Sequence, residues 1–407
     1  MSGPIWSQAR PPFYVLEPET LRRRYRAIRD AFQSRFASLI VGYSYKTNYV
    51  PYLLKLLHAE GAWAEVVSEL EYRLARRLGV DPTRIVFNGP NKSYDSLGCA
   101  LRDGSLINLD SMEEVAHLLQ WRRAHPKKEI GVGLRVNLRH PERDGHQAYS
   151  RFGLTLDEIE SVVPRFKDAG IALIGLHAHL SSRARDEGVF AGLAEALCEA
   201  ANLVGTEGLK YVDVGGGMGY APPQMPGFEF PSFERYAETC WRVFRENAPA
   251  LCRKTLIVEP GISLCGDSFS YFAPVVAIKH IGGRNLAFVD GSVHTVKPTK
   301  HRHNLPTLAL NPAFEPKTGP PTPYDIVGYT CMDDDYLGID LTLPRLEPGD
   351  VLRFDNVGAY TIVFKPPFIR TVPAMYARVE AGLRLIRHEE TLEDFIGGYL
   401  IDEANHE

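Results

Sequence analysis

The chain has 407 residues, 44% of them hydrophobic, which is more than one ordinary domain holds and enough apolar material for two cores. Its 46 basic and 50 acidic residues are interspersed and leave a net charge of −4, which excludes a strongly basic nucleic-acid-binding surface. No apolar run approaches the ~18 residues of a membrane span, the N-terminus shows no signal-peptide pattern, and six scattered cysteines lack CxxC spacing. We therefore expect a reduced, cytoplasmic protein with no nucleic-acid or membrane partner.

In chain order, residues 12–16 (Pro-Phe-Tyr-Val-Leu) read as a short strand before an amphipathic helix that carries Leu21, Tyr25, Ile28 and Phe32 on one face. Eight short apolar runs follow, at 38–44, 63–67, 84–88, 105–109, 130–136, 171–177, 209–214 and 255–259, with helical periodicity between them. Strand and helix alternating eight times over ~240 residues is the rhythm of an α/β fold of the (β/α)8 TIM-barrel type. An open, doubly wound sheet has the same alternation, so the polar residues decide. In a barrel the chemistry collects where strands end. Those ends carry Lys46, then Glu65 and Ser68, Asn88 through Lys92, Asp110, Arg135, His177 and His179, Gly215-Gly216-Gly217, and Glu259.

After about residue 268 the rhythm changes. Residues 272–279, 286–290, 350–354 and 360–364 read as strands separated by Gly, Pro and Asn turns, and 311–324 as an extended, Pro-rich loop. We assign residues 20–268 to the barrel, and 1–19 with 269–407 to a second, mostly β domain.

Each motif has a bland and a chemical reading. A lysine ending a strand, as Lys46 does, is commonly a solvated loop residue; desolvated by the strand around it, its amine suits a Schiff base with an aldehyde cofactor. The run Gly215-Gly-Gly-Met-Gly219 is a tight turn or a phosphate cradle, and it lacks the GxGxxG spacing of a dinucleotide site. A buried Glu259 needs a cationic partner, either Arg135 or the ring nitrogen of pyridoxal phosphate. His177 and His179 have i, i+2 spacing but no evident third ligand, so no metal is expected; a flat imidazole on an aromatic cofactor, with Ser182 on its phosphate, fits better. Cys331 opens an acidic run and reads as a small hydrophobe or a proton donor, and Tyr360 as a strand aromatic or a phenol reaching phosphate.

Taken together, over nearly the whole chain and in order, these motifs resemble the pyridoxal-phosphate-dependent fold-type III decarboxylases with an alanine-racemase-like barrel: the diaminopimelate, ornithine and arginine decarboxylases. The resemblance implies a cofactor, pyridoxal 5'-phosphate, carried by Lys46, stacked on by His179 and paired at its ring nitrogen with Glu259. It implies Ser182, Gly216, Gly217 and Tyr360 around the phosphate, and Glu65, Glu71 and Arg135 in support; Glu65 stands where the family usually has Asp. Cys331 matches the protonating cysteine and Asp335 a substrate-binding aspartate, with Tyr360 also bordering substrate. In the family the residues matching Cys331 and Asp335 reach the other subunit's barrel, which implies a homodimer with shared sites.

Two departures matter, one at the cofactor's phosphate and one at the substrate. Ile262 replaces a phosphate-contacting arginine, and Met332 replaces the acid that meets a distal amine in the diamino-acid enzymes. The basic cluster Lys297, Lys300, His301, Arg302 and His303 leads us to expect a carboxylate-bearing distal end, held by Lys300 and Arg302, as in the citryl-amino-acid decarboxylases of siderophore assembly. The alternatives are a diaminopimelate or other diamino-acid decarboxylase, an amino-acid racemase, and a non-enzymatic cofactor carrier. Glu259 and Cys331 speak against the racemase, and the second domain against the carrier.

Overall fold

The computed structural model describes residues 9–139, 148–180, 185–219, 229–364 and 368–400. The first strand, β1 (Phe13–Leu16), joins the β unit treated below. The next eight are β2 (Leu39–Ser44), β3 (Trp63–Val66), β4 (Ile85–Phe87), β5 (Leu106–Leu109), β6 (Ile130–Arg135), β7 (Ile171–His177), β8 (Tyr211–Asp213) and β9 (Thr255–Val258). They pair in sequence order, all parallel, and β9 closes on β2 as a barrel. Each lies within two residues of its expected run. The runs are short and almost continuously apolar because a parallel strand under helices is buried on both faces.

Local chemistry starts the helices between the strands. Ser68, Ser93, Ser111, Thr155, Asp186 and Ser232 each precede a helix and accept the backbone N–H three residues on, which satisfies one of the donors a helix start leaves open. The helix Pro18–Gln33 buries the face of Leu21, Tyr25, Ile28 and Phe32. Inside the barrel, Val86, Ile174, Tyr211 and Ile257 form a buried cluster. Tyr211 has room because β6 and β7 present Gly133 and Gly175 to it; a Cβ at either position would collide with the Tyr211 side chain.

The second unit takes residues up to Leu21 and those from Cys265 onward; the barrel unit runs from Arg22 to Leu264. Its further strands are β10 (Phe269–Ile281), β11 (Arg284–Val289), β12 (Thr307–Leu310), β13 (Pro321–Val327), β14 (Tyr336–Pro344), β15 (Val351–Phe354), β16 (Ala374–Val379) and β17 (Gly382–Arg387). With β1 they make a nine-stranded sheet, in which β1 lies between β10, antiparallel, and β16, parallel. Phe13 stacks on Phe272 with ring centroids 4.9 Å apart, in a core shared with Val15, Leu310 and Val351.

Two expectations are corrected here. Residues 360–364 are no strand: Tyr360 has φ +50°, which an extended chain does not adopt, and Ile362–Phe364 form a 3-10 turn. The stretch 311–324 is not all loop, because β13 begins at Pro321. Its prolines are tolerated because pairing with β11 starts only at Asp325, so their missing N–H groups are not needed on that side. Among the described residues no helix is long and apolar enough to cross a membrane.

Candidate active site

Lys46 follows β2 in a single 3-10 turn, Tyr45–Thr47. The β2–β3 register places Ser44 beside Glu65, and Lys46 Nζ reaches both: Glu65 Oε2 at 2.7 Å and Ser44 Oγ at 3.1 Å. Ser44 Oγ donates to the same Glu65 oxygen at 2.5 Å. The expected desolvated amine is therefore corrected. The Lys46 side chain is 32% exposed and ion-paired, an arrangement that favours the ammonium.

Glu259, just past β9, is buried. Asn88 Nδ2 donates to its Oε1 at 2.5 Å, and His177 Nε2 lies 3.6 Å from Oε2, beyond hydrogen-bond reach. Burial opposes a charge here, but His177 and Lys46 outweigh it and hold the carboxyl well below the usual range. The neighbouring Asp213 behaves oppositely: burial and the Glu259 charge push it up, so it keeps its proton. Ligand atoms of His177, Asp213 and Glu259 lie within 4.8 Å of one another, a grouping invisible in the sequence because it joins three strands.

His179 is pushed down to about 3 by burial, with Lys46 and Arg135 adding to the effect, so its ring is neutral. Its Nδ1 accepts the Gly216 N–H at 3.1 Å, which leaves the proton on Nε2. A Cβ at Gly216 would strike the Glu259 carbonyl oxygen, so the backbone approaches here only as glycine. The Gly216 N–H thus fixes the tautomer and orientation of the His179 ring. Arg135 donates to Asp110 Oδ1 at 2.8 Å and to the His179 carbonyl at 3.3 Å, with Phe152 against its guanidinium.

Lys46, Glu65, Arg135, His179 and Glu259, drawn from separate strand ends, line one cavity of about 300 Å³. Asn88, named only as a strand-end residue without a role, lines it too, as do Arg151 and Phe152, which were not expected. Asn88 had a signal, its place at the end of β4; the loop residues 151 and 152 had none. Glu71 accepts the Val67 N–H at 2.8 Å, and burial pushes it up to about 7. Ser182 lies outside the described residues.

In the β unit, Cys331 is exposed. Asp335 is buried, and its oxygens accept from Val293 N at 2.6 Å, Thr330 N at 2.9 Å and Thr330 Oγ1 at 2.7 Å. It anchors the turn that bears Cys331. Met332 Sδ sits 3.4 Å from His294 Nε2. The basic cluster is not a set of open cations: Lys297 is buried, and Lys300 pairs with Asp334 at 2.7 Å, while Arg302 is exposed.

A closed eight-stranded barrel with a lysine after its first strand and a buried, charged carboxylate after its last has the make-up of a pyridoxal-binding barrel. Residues 19–266 match the family model described as "Pyridoxal-dependent decarboxylase, pyridoxal binding domain", and the chain belongs to that family. It is a pyridoxal-phosphate-dependent amino-acid decarboxylase, a carboxy-lyase. It is 30% identical over 400 residues to the diaminopimelate decarboxylase of Methanothermobacter thermautotrophicus, covering 95% of this chain and 91% of that one. To the Aquifex aeolicus diaminopimelate decarboxylase it is 27% identical, covering 94% and 90%. The structure of diaminopimelate decarboxylase from M. jannaschii with L-lysine superposes at TM-score 0.87 and 24% identity, over 97% of this chain and 93% of that one, a likeness of fold.

The residues present fit the cofactor. The amine, the charged Glu259 and the neutral His179 border one cavity of about 300 Å³.

Proposed function

We propose that the chain decarboxylates a diamino acid, with meso-diaminopimelate as its first candidate, in a homodimer with shared sites. The observation that carries this reading is whole-length similarity: relatives matched over nine-tenths of both chains bear that name. Bound pyridoxal phosphate supplies an electron sink for the pair left on Cα when CO2 departs. Lys46 Nζ is the amine that binds it, and Glu65 Oε2, 2.7 Å away, is the acceptor for the proton that the ammonium must lose first. Glu259, held charged, keeps a proton on the ring nitrogen. His179, held neutral by Gly216, offers a flat face without adding charge. Gly217, Ser182 and Tyr360 complete the phosphate contacts. The left-handed backbone of Tyr360 (φ +50°), costly for a non-glycine residue, supports a functional placement. Cys331 Sγ, exposed, returns a proton to Cα, and Asp335 fixes the turn from which it does so.

A second reading, a substrate with a carboxylate-bearing distal end such as a citryl-amino acid, keeps one supporting observation: Met332 and its neighbour His294 offer no acid to a distal ammonium. The pairing of Lys300 removes much of its other support. CO2 release measured across meso-diaminopimelate, lysine, ornithine, arginine and a citryl-amino acid separates the two. The first reading requires meso-diaminopimelate to lead, with Lys300→Ala and Arg302→Ala changing KM by less than ~3-fold, as for solvated charges. Preference for the citryl compound, with KM raised by those substitutions, would reverse the order.

A further inference from the structure

Two carboxylates face the cavity, one beside Lys46 and one for the cofactor ring, and a single side chain bonds both. Asn88 Nδ2 donates to Glu65 Oε1 at 3.1 Å and to Glu259 Oε1 at 2.5 Å. Its amide nitrogen has two hydrogens, one for each acceptor. The orientation of that amide is fixed from behind. Asn88 Oδ1 accepts from Asn108 Nδ2 at 2.8 Å, and Asn108 Oδ1 accepts from the Tyr211 hydroxyl at 2.7 Å. The Tyr211 phenol, pushed up above all by its burial, keeps its proton and therefore donates. The chain of bonds starts on a group that must give and ends on two that must receive, so it has one polarity. All five side chains are buried, and Gly133 leaves the space in which Asn108 and Tyr211 meet. The Asn88 N–H donates to the Val66 carbonyl at 2.8 Å, which ties the residue into the ladder beside Glu65.

A lysine or arginine at this position would neutralise the carboxylates that it joined. An amide orients both and leaves both charges for Lys46 and the ring nitrogen. We infer that Asn88 is a positioning residue that sets Glu65 and Glu259 as one unit, with Asn108 and Tyr211 fixing its polarity across the barrel. This holds whichever amino acid is turned over.

The test uses the full-length enzyme, stripped of cofactor and titrated with pyridoxal phosphate, with the visible absorption followed against pH. Asn88→Asp, nearly isosteric, turns both donors into acceptors. It should weaken cofactor binding at least ~10-fold and move the pH midpoint of the absorption band upward, because a third carboxylate favours protonated nitrogen. Asn88→Ala should weaken binding with a smaller midpoint change. Tyr211→Phe, which keeps the ring and removes only the hydroxyl, should weaken binding in the same direction but less. Cofactor affinity and midpoint unchanged in both Asn88 variants, with only melting temperature lowered, would reduce the residue to packing and overturn the inference. Should the Asn88 variants fail to fold, unchanged affinity and midpoint in Tyr211→Phe overturn it equally.

Discussion

The strand-end site of the barrel and the Cys331 turn of the β unit are held in opposite ways. In the barrel, Lys46, Glu65, Arg135, His179 and Glu259 come from positions more than two hundred residues apart, and each is gripped by a neighbour from another strand: Glu65 by Ser44, Arg135 by Asp110, His179 by Gly216, Glu259 by Asn88. In the β unit, Cys331 and Asp335 come from five consecutive residues, and one buried carboxylate with three donors ties the turn down. A parallel ladder over-determines its side chains, whereas a turn depends on a single anchor.

The largest expected effect separates the two regions outright. Lys46→Ala should abolish both activity and the visible cofactor band, while Cys331→Ala should abolish most activity and keep the band. Mixing the two should restore about a quarter of wild-type activity, since random exchange makes half the dimers hybrids with one intact site of two. Mixed dimers seen by native mass spectrometry without any recovery would show that each site is built within one chain.

Next in size, Asp335→Ala should lower decarboxylation by ~10²-fold through misplacement of the turn, and cost about 1–3 kcal/mol of stability in denaturant titrations, with cofactor affinity unchanged. An unchanged rate would mean that the turn needs no anchor.

The smallest effect lies in the barrel. Glu71, pushed up to about 7 from an ordinary 4.5, favours its protonated form when folded. The folded state then binds more protons than the unfolded one between these values. Its contribution is present in full below pH 4.5 and is lost as pH rises through 7. Glu71→Gln should therefore remove a fall in stability across that interval, visible in melts of the cofactor-free protein at a series of pH values. A fall of the same size in the variant would place its origin elsewhere.

The same contrast explains what could be read from the sequence. Eight parallel strands buried on both faces are short apolar runs, and the polar residue ending each run stands out against them, as Lys46, Arg135 and Glu259 do. What could not be read is partnership across strands. Nothing local to Asn88 announces that it will meet Glu259, 171 positions away, or that Asp213 will hold a proton beside it. The β unit was less legible still. Tyr360 adopts a left-handed backbone that no propensity indicates, and Pro321 and Pro323 lie in a strand because one side of it is unpaired there. One member of the basic cluster, Lys300, pairs with Asp334, 34 residues on, a partnership that the spacing of the cluster does not indicate.

Gly133, Gly175 and Tyr211 behave as one volume divided among three strands. The phenol occupies the space that two side chains would otherwise fill, so none of the three positions is free to vary by itself. In a library randomising them together, clones that keep the tyrosine should keep both glycines, and clones that enlarge either glycine should have traded the ring for something smaller. Such a shrunken residue would fill the barrel equally well and would bring no hydroxyl to Asn108.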